Sequence, residues 1–210
     1  MNGDGEVIAR APQGISLQQV DSFIGQHANW IRKQQRKAYA RRQALPPALT
    51  YGDGETLYFL GEAYALRVVF GRAGTVRIED AAMIVTVKVD GDSDAVERAV
   101  MRWYRQQAAA LFEERLALQF ARVQHWGVVP LPLAIRRMKS RWGSCTAKGK
   151  ITLSLRLMQA PAALIDYVIM HELCHLREMN HGPGFYALMA EICPDWQALR
   201  SALARTPTNW

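Results

Sequence analysis

The chain has 210 residues, half of them hydrophobic, with 26 Lys and Arg against 19 Asp and Glu and a net charge of +7. This is the make-up of one compact globular domain or two small subdomains with a sizeable core. It excludes a membrane-spanning helix and a disulfide scaffold, because no stretch is long and apolar enough to cross a bilayer and the three cysteines do not make an even framework.

The start, Met1 to Gly5, is polar and no apolar run follows it, so no secretory signal is read and the expected location is the cytoplasm. The positive balance permits contact with nucleic acid. No helix-turn-helix, zinc-finger or RNP-like pattern accompanies it, and a basic soluble surface is the preferred account. No internal repeat or low-complexity segment is present.

In chain order, Glu6 to Ala11 reads as a short strand, the second of a hairpin whose first strand lies outside the chain. Ser16 is an N-cap for one helix running to about Arg42, with Val20, Phe23, Ile24, Ala28 and Ile31 at helical spacing. Its second half is densely basic, with Arg32, Lys33, Arg36, Lys37, Arg41 and Arg42 forming a solvated face or a phosphate-binding stripe. Pro46-Pro47 breaks the chain. Strands are expected at Thr56 to Phe59, Ala63 to Phe70, Thr75 to Glu79 and Met83 to Val89, forming a small antiparallel β section with glycine turns.

Gly91 to Asp94 forms a turn and cap. A long helix follows to about Arg122, burying Val96, Val100, Trp103, Tyr104, Ala108, Leu111, Phe112 and Leu116. Pro130 and Pro132 precede a strand at Leu133 to Met138, and Lys150 to Leu157 is its expected hairpin partner. Pro161 opens a buried helix carrying Leu164, Tyr167, Val168 and Ile169. A helix at Pro183 to Ile192 and a shorter one at Asp195 to Ala204 close the chain.

The stretch that carries chemistry is 171–181, His-Glu-Leu-Cys-His-Leu-Arg-Glu-Met-Asn-His. His171 and His175 are one helical turn apart on one face, where two imidazoles can bind one zinc ion. Zinc lowers the pKa of a bound water to roughly 7, and Glu172 is placed to take its proton as general base. A catalytic site needs a third protein ligand. His181 is preferred, with Glu178 and Glu191 as alternatives. A straight helix would carry residue 181 about 9 Å beyond His175, so the chain must turn back, and Asn180, Gly182, Pro183 and Gly184 supply the turn. Cys174 lies off the histidine face and reads as a packed thiol, as does Cys193.

The loop from Lys139 to Cys145 gathers functional side chains beside this helix. Arg141, with Lys139, is positioned to stabilise an oxyanion or hold a substrate carboxylate. Tyr186 is a further oxyanion candidate. Ser144 and Cys145 have no obvious base for a nucleophilic role. Zinc peptidases commonly pair an extended substrate with a strand edge, and this hairpin is the natural one.

The motifs Arg141-Trp142-Gly143-Ser144-Cys145, Ile165-Asp166-Tyr167-Val168, His171 to Leu176, and Asn180-His181 with Phe185 together resemble the YgjP-like metallopeptidases, related to the SprT-like group of zincins. Trp30-Ile31 and Trp103-Tyr104 extend the resemblance along most of the chain. It implies a zincin-like α+β fold, one zinc per chain on His171, His175 and His181, and Glu172 as general base. Through the SprT-like relatives it also points to proteases acting on DNA-bound protein. One departure stands out: Glu178 occupies a place where the longer H-E-x-x-H-x-x-G-x-x-H pattern has glycine.

The expected function is therefore a zinc-dependent peptidase acting on protein or peptide substrates. A helical and β-rich section over 1–90 would precede a catalytic section over 91–210. Two alternatives remain: a DNA-associated protease docking through Arg32 to Arg42, and a binding module in which zinc is structural.

Overall fold

A computed structural model describes residues 7–9, 11–43, 49–72, 74–89, 91–129 and 131–208. The chain divides into two units, Met1–Pro47 and Ala48–Trp210. The β-rich section thus lies in the same unit as the histidines.

The first unit holds α1 (Leu17–Gln26) and α2 (Ala28–Gln43). Ser16 caps α1 through a reciprocal capping box with Gln19. The single helix expected here is interrupted at His27, whose backbone leaves the helical region and whose ring stacks on Phe23 at 4.2 Å. No residue of α1 is buried. Of the expected first strand, Glu6 and Arg10 lie outside the described residues, and Val7 to Ala9 form no strand. Pro46-Pro47 and Pro130 also lie outside them.

The second unit is built on one hydrophobic core. Strands β1 (Thr56–Phe59), β2 (Glu62–Phe70), β3 (Val76–Glu79) and β4 (Ala82–Val87) form a sheet in the order β1-β2-β4-β3. Met83, Val85 and Val87 alternate inward along β4, as a half-buried strand requires. The sheet is mixed rather than wholly antiparallel. β4 inserts between β2 and β3 and runs parallel to β2.

The β1–β2 turn needs a positive φ at Leu60 and Gly61. A Cβ on Gly61 would sit 2.7 Å from Pro161 Cγ. The turn also donates backbone hydrogen bonds to Met158 and Gln159, so this sheet is pinned to the entry of the histidine helix.

Helix α3 (Ser93–Ala121) is capped by Asp92 and buries Val96, Val100, Tyr104, Ala108 and Phe112 at helical spacing. Trp103, Leu111 and Leu116, expected in the same stripe, are only partly buried against the core. A second sheet, β5 (Leu131–Arg136), β6 (Gly143–Cys145) and β7 (Lys150–Ser154), has the order β5-β7-β6. The expected hairpin of β5 with β7 is replaced by a parallel pair, and the hairpin is β6–β7. β6 is therefore an edge strand, and it packs against α4 (Ala162–Cys174).

α4 is apolar nearly all round, as a buried helix should be. Ile165, Ile169 and Leu173, four apart, are fully buried, each contributing about 1.5–3 kcal/mol by leaving water. α3, α5 (Pro183–Ile192) and α6 (Trp196–Arg205) pack around it. Arg115 on α3 lies 3.2 Å from Asp166 on α4, both side chains largely shielded. Arg122 at the end of α3 donates to the Ile192 carbonyl at the end of α5. These ties fix the direction in which α4 presents its last turn.

Candidate active site

α4 ends at His175, which still has helical dihedrals and acts as the C-cap. The chain then tightens, with Arg177 and Glu178 both donating to the Cys174 carbonyl, and reverses through 180–182 into α5. Glu178 is not among the residues with positive φ. The turn therefore needs no glycine there, which explains how glutamate is accommodated at the departure from the longer zincin pattern.

This reversal brings His181 back to the helix. His181 Nε2 lies 3.0 Å from His171 Nε2. The ligand atoms of His171, His175 and His181 all fall within 4.8 Å of one another. His175 Nδ1 lies 2.9 Å from the Glu178 carbonyl oxygen. A carbonyl only accepts, so Nδ1 carries the proton and Nε2 keeps its lone pair. Phe185, buried at the start of α5, touches all three rings at centroid distances of 4.6–4.8 Å.

Burial, then the neighbouring His175 and His181, pulls the His171 pKa down to about 3. Burial and His175 likewise lower that of His181. Both rings are neutral at pH 7, the form that binds metal.

The donor set fits a divalent transition metal. It consists of three imidazoles, one with its tautomer fixed by a backbone carbonyl. Among the described residues no fourth His, Cys, Asp or Glu joins the group. Of the alternative ligands, the Glu178 side chain lies against Gly184, and Glu191 pairs with His125 at 3.4 Å. Neither belongs to the cluster. A set of three leaves a coordination position open, as catalytic zinc sites do and closed structural sites do not.

Glu172 opens into the same cavity, about 240 Å³, with His171, His175, His181, Arg141, Gly143 and Cys145 on its walls. Glu172 is only 4 % exposed. Its Oε2 is buried without a hydrogen-bond partner. Such an orphan in a folded core calls for a ligand or a function. Burial pushes its pKa up to about 8, against the opposing pull of the Arg141 guanidinium. Gly143 backs onto the carboxylate: a Cβ there would sit 2.5 Å from Glu172 Oε1. A glycine in a strand often marks such a close approach.

The loop bearing Arg141 is held from behind. Arg156 donates to the Lys139 carbonyl at 2.8 Å and lies over the Trp142 ring at 4.8 Å. Ser154 N–H donates to the Trp142 carbonyl at 2.8 Å. Cys145 lines the cavity, but burial and Glu172 raise its thiol to about 11, so it is no thiolate at neutral pH.

Tyr186 does not line this cavity. It lies on a neighbouring one, about 300 Å³, which shares the walls of His171 and His181 and includes Trp196 and Arg200. The sequence reading missed Arg200. It also missed the Glu178 carbonyl, a main-chain atom that leaves no sequence signal.

Residues 1–206 match the family model described as YgjP-like, metallopeptidase domain. The chain belongs to that family. It is a metallopeptidase by membership, with protein or peptide as its substrate class. The chain is also similar to a solved structure, the metallopeptidase zymogen of Methanocaldococcus jannaschii jannalysin. The identity is 19%, the match covers 45% of this chain and 91% of that one, and the TM-score is 0.35. No curated protein matches the chain. Among the described residues, no helix of this YgjP-like chain is long and apolar enough to cross a membrane.

Proposed function

We propose that this metallopeptidase is a zinc enzyme, with one zinc held by His171, His175 and His181 and Glu172 as its general base. The observation that carries the reading is the meeting of three imidazoles and one buried, unpartnered carboxylate oxygen on a single cavity. A zinc ion there would acidify a water molecule and polarise a peptide carbonyl. Imidazole donors suit several transition metals, and zinc rests on the H-E-x-x-H pattern at 171–175.

The chain's own residues supply the rest. As water attacks the peptide carbonyl, Glu172 takes the proton at Oε2 and passes it to the leaving nitrogen. Arg141 favours the ionised carboxylate that this role requires. Arg141, on the wall of the same cavity, is also the group best placed to meet negative charge developing on the carbonyl oxygen. Tyr186, on the neighbouring cavity, is the second choice for that role. β6 is an edge strand beside Glu172. Its open side can pair with an extended peptide through main-chain bonds, which holds substrate without demanding one sequence. Cys145, Cys174 and Cys193 are all free thiols, which suits the reducing cytoplasm.

The deciding experiment is Glu172→Gln. The variant should bind zinc like the wild type and lose peptide hydrolysis by about 100-fold or more. Retained activity would remove Glu172 from the mechanism. The DNA-associated alternative rests on the stripe Arg32 to Arg42 of α2, of which Arg32, Lys33 and Arg36 are exposed and the side chains of Lys37, Arg41 and Arg42 lie outside the described residues. It requires proteolysis stimulated by DNA and weakened by salt.

A further inference from the structure

The cavity beside the histidines has a chemistry unlike that of the one holding Glu172. It shares His171 and His181 with the metal cluster, yet neither Glu172 nor Arg141 reaches it. Tyr186 stacks on Trp196 at 5.0 Å to form an aromatic wall. Arg200 follows Trp196 by four residues on α6, on the same helix face. Beside the two neutral histidines it is the one charged group on the cavity wall, and no carboxylate lines it. Among the described residues Arg200 has no ion-pair partner. A lone guanidinium beside an aromatic wall is complementary to a carboxylate on a short chain. Arg holds carboxylates through two parallel hydrogen bonds, while the rings shelter the methylenes.

We infer that this cavity is the substrate's specificity pocket, in which Arg200 selects a carboxylate on a residue flanking the cleaved bond. The inference rests on the peptidase reading, because the shared walls of His171 and His181 are what set the pocket beside the reacting bond. The carboxylate has two sources, an Asp or Glu side chain or a free C-terminus, and both present the same group to Arg200.

The test uses the full chain carrying Glu172→Gln, so that peptides bind without turnover, with and without one equivalent of zinc. Binding is followed by calorimetry with acetyl-Gly-Asp-amide against acetyl-Gly-Asn-amide for the side-chain source. Acetyl-Gly-Gly as free acid against its amide reports the terminal source. In at least one pair the carboxylate should bind about 10- to 100-fold more tightly, the range of a charge-assisted pair. Arg200→Gln should erase the difference. Arg200→Lys should keep part of it, having the charge without the planar fork. Arg200 is exposed, so both variants should melt with the parent. Equal binding of acid and neutral partner in both pairs would overturn the proposal. So would a preference that survives Arg200→Gln, since the carboxylate would then be held by the metal instead. Failure of the peptidase reading shows separately, as zinc-loaded wild type that cleaves nothing.

Discussion

The tightest constraint on the site is the contact of Gly143 with Glu172, and Gly143→Ala tests it. The new Cβ would stand 2.5 Å from Oε1 and 2.9 Å from both Cδ and Cγ of Glu172. Non-bonded carbon atoms settle at about 3.5–4.0 Å, so the carboxylate arm must move by roughly 1 Å. The strand can give little, because Gly143 pairs with Leu153 in the β6–β7 ladder. The helix can give little either, since α4 is packed on α3, α5 and α6.

Overpacking of this kind costs about 1–3 kcal/mol, or about 2–12 °C in melting temperature for a chain of this size. A misplacement of about 1 Å in a reacting group can cost roughly 100-fold in rate. The variant should therefore lose about that much kcat/KM while zinc content holds, because none of the three histidines is touched. In a Glu172→Ala background the atoms that clash are gone, and the same substitution should cost almost no stability. Assays are kcat/KM on a peptide substrate, zinc per chain, and melting temperature across the four-member cycle. Wild-type kcat/KM and melting temperature in Gly143→Ala would refute the claim that this glycine sets the carboxylate's place.

Two further outcomes follow from the same packing. Without metal, Glu172 titrates near 8 when folded against an ordinary value of 4.5. Between those pH values the folded chain holds a proton that the unfolded chain has lost. Stability of the metal-free protein should then be highest below about 4.5 for this group and fall by about 1.4 kcal/mol per pH unit up to about 8. Glu172→Gln should flatten that slope in urea unfolding curves taken across the window, and an unchanged slope would count against a buried carboxyl. Arg115→Ala should leave the shielded Asp166 with only Gln119 and the more distant Arg122 to favour its charge, destabilising the chain by about 1–3 kcal/mol. Denaturant melts measure this, and a loss below about 0.5 kcal/mol would show the pair to be solvated.

The sequence made much of the site legible because local rules govern it. Four-residue spacing on a helix places His171 beside His175 wherever the helix goes. The small and turn-forming residues after Met179 announce a reversal that returns His181. The helices α3, α5 and α6 carry caps, periodicity and prolines that mark their limits within a residue or two. Long-range pairing was not legible. The parallel contacts of β2 with β4 and of β5 with β7 join segments whose local patterns suit either direction. The interruption at His27 leaves no mark in hydrophobic period, since Val20, Phe23, Ile24, Ala28 and Ile31 keep helical spacing across it. Gly143 and Arg200 acquire meaning only when β6 meets α4 and α6 meets α5, which are tertiary events. Glu178 illustrates the limit most clearly. Its side chain drew attention as a ligand, whereas the geometry gives its main-chain oxygen the contact with His175.

The central claim is that three histidines, the last from beyond the helix, hold one metal ion. Metal analysis of purified wild type beside His181→Ala tests it most directly. The account predicts about one zinc per chain in the wild type, as a three-ligand catalytic site requires, and a sharp fall in the variant. Full zinc in His181→Ala would contradict it and move the third ligand elsewhere, and absence of metal from both would leave the cluster at His171, His175 and His181 without an ion to hold.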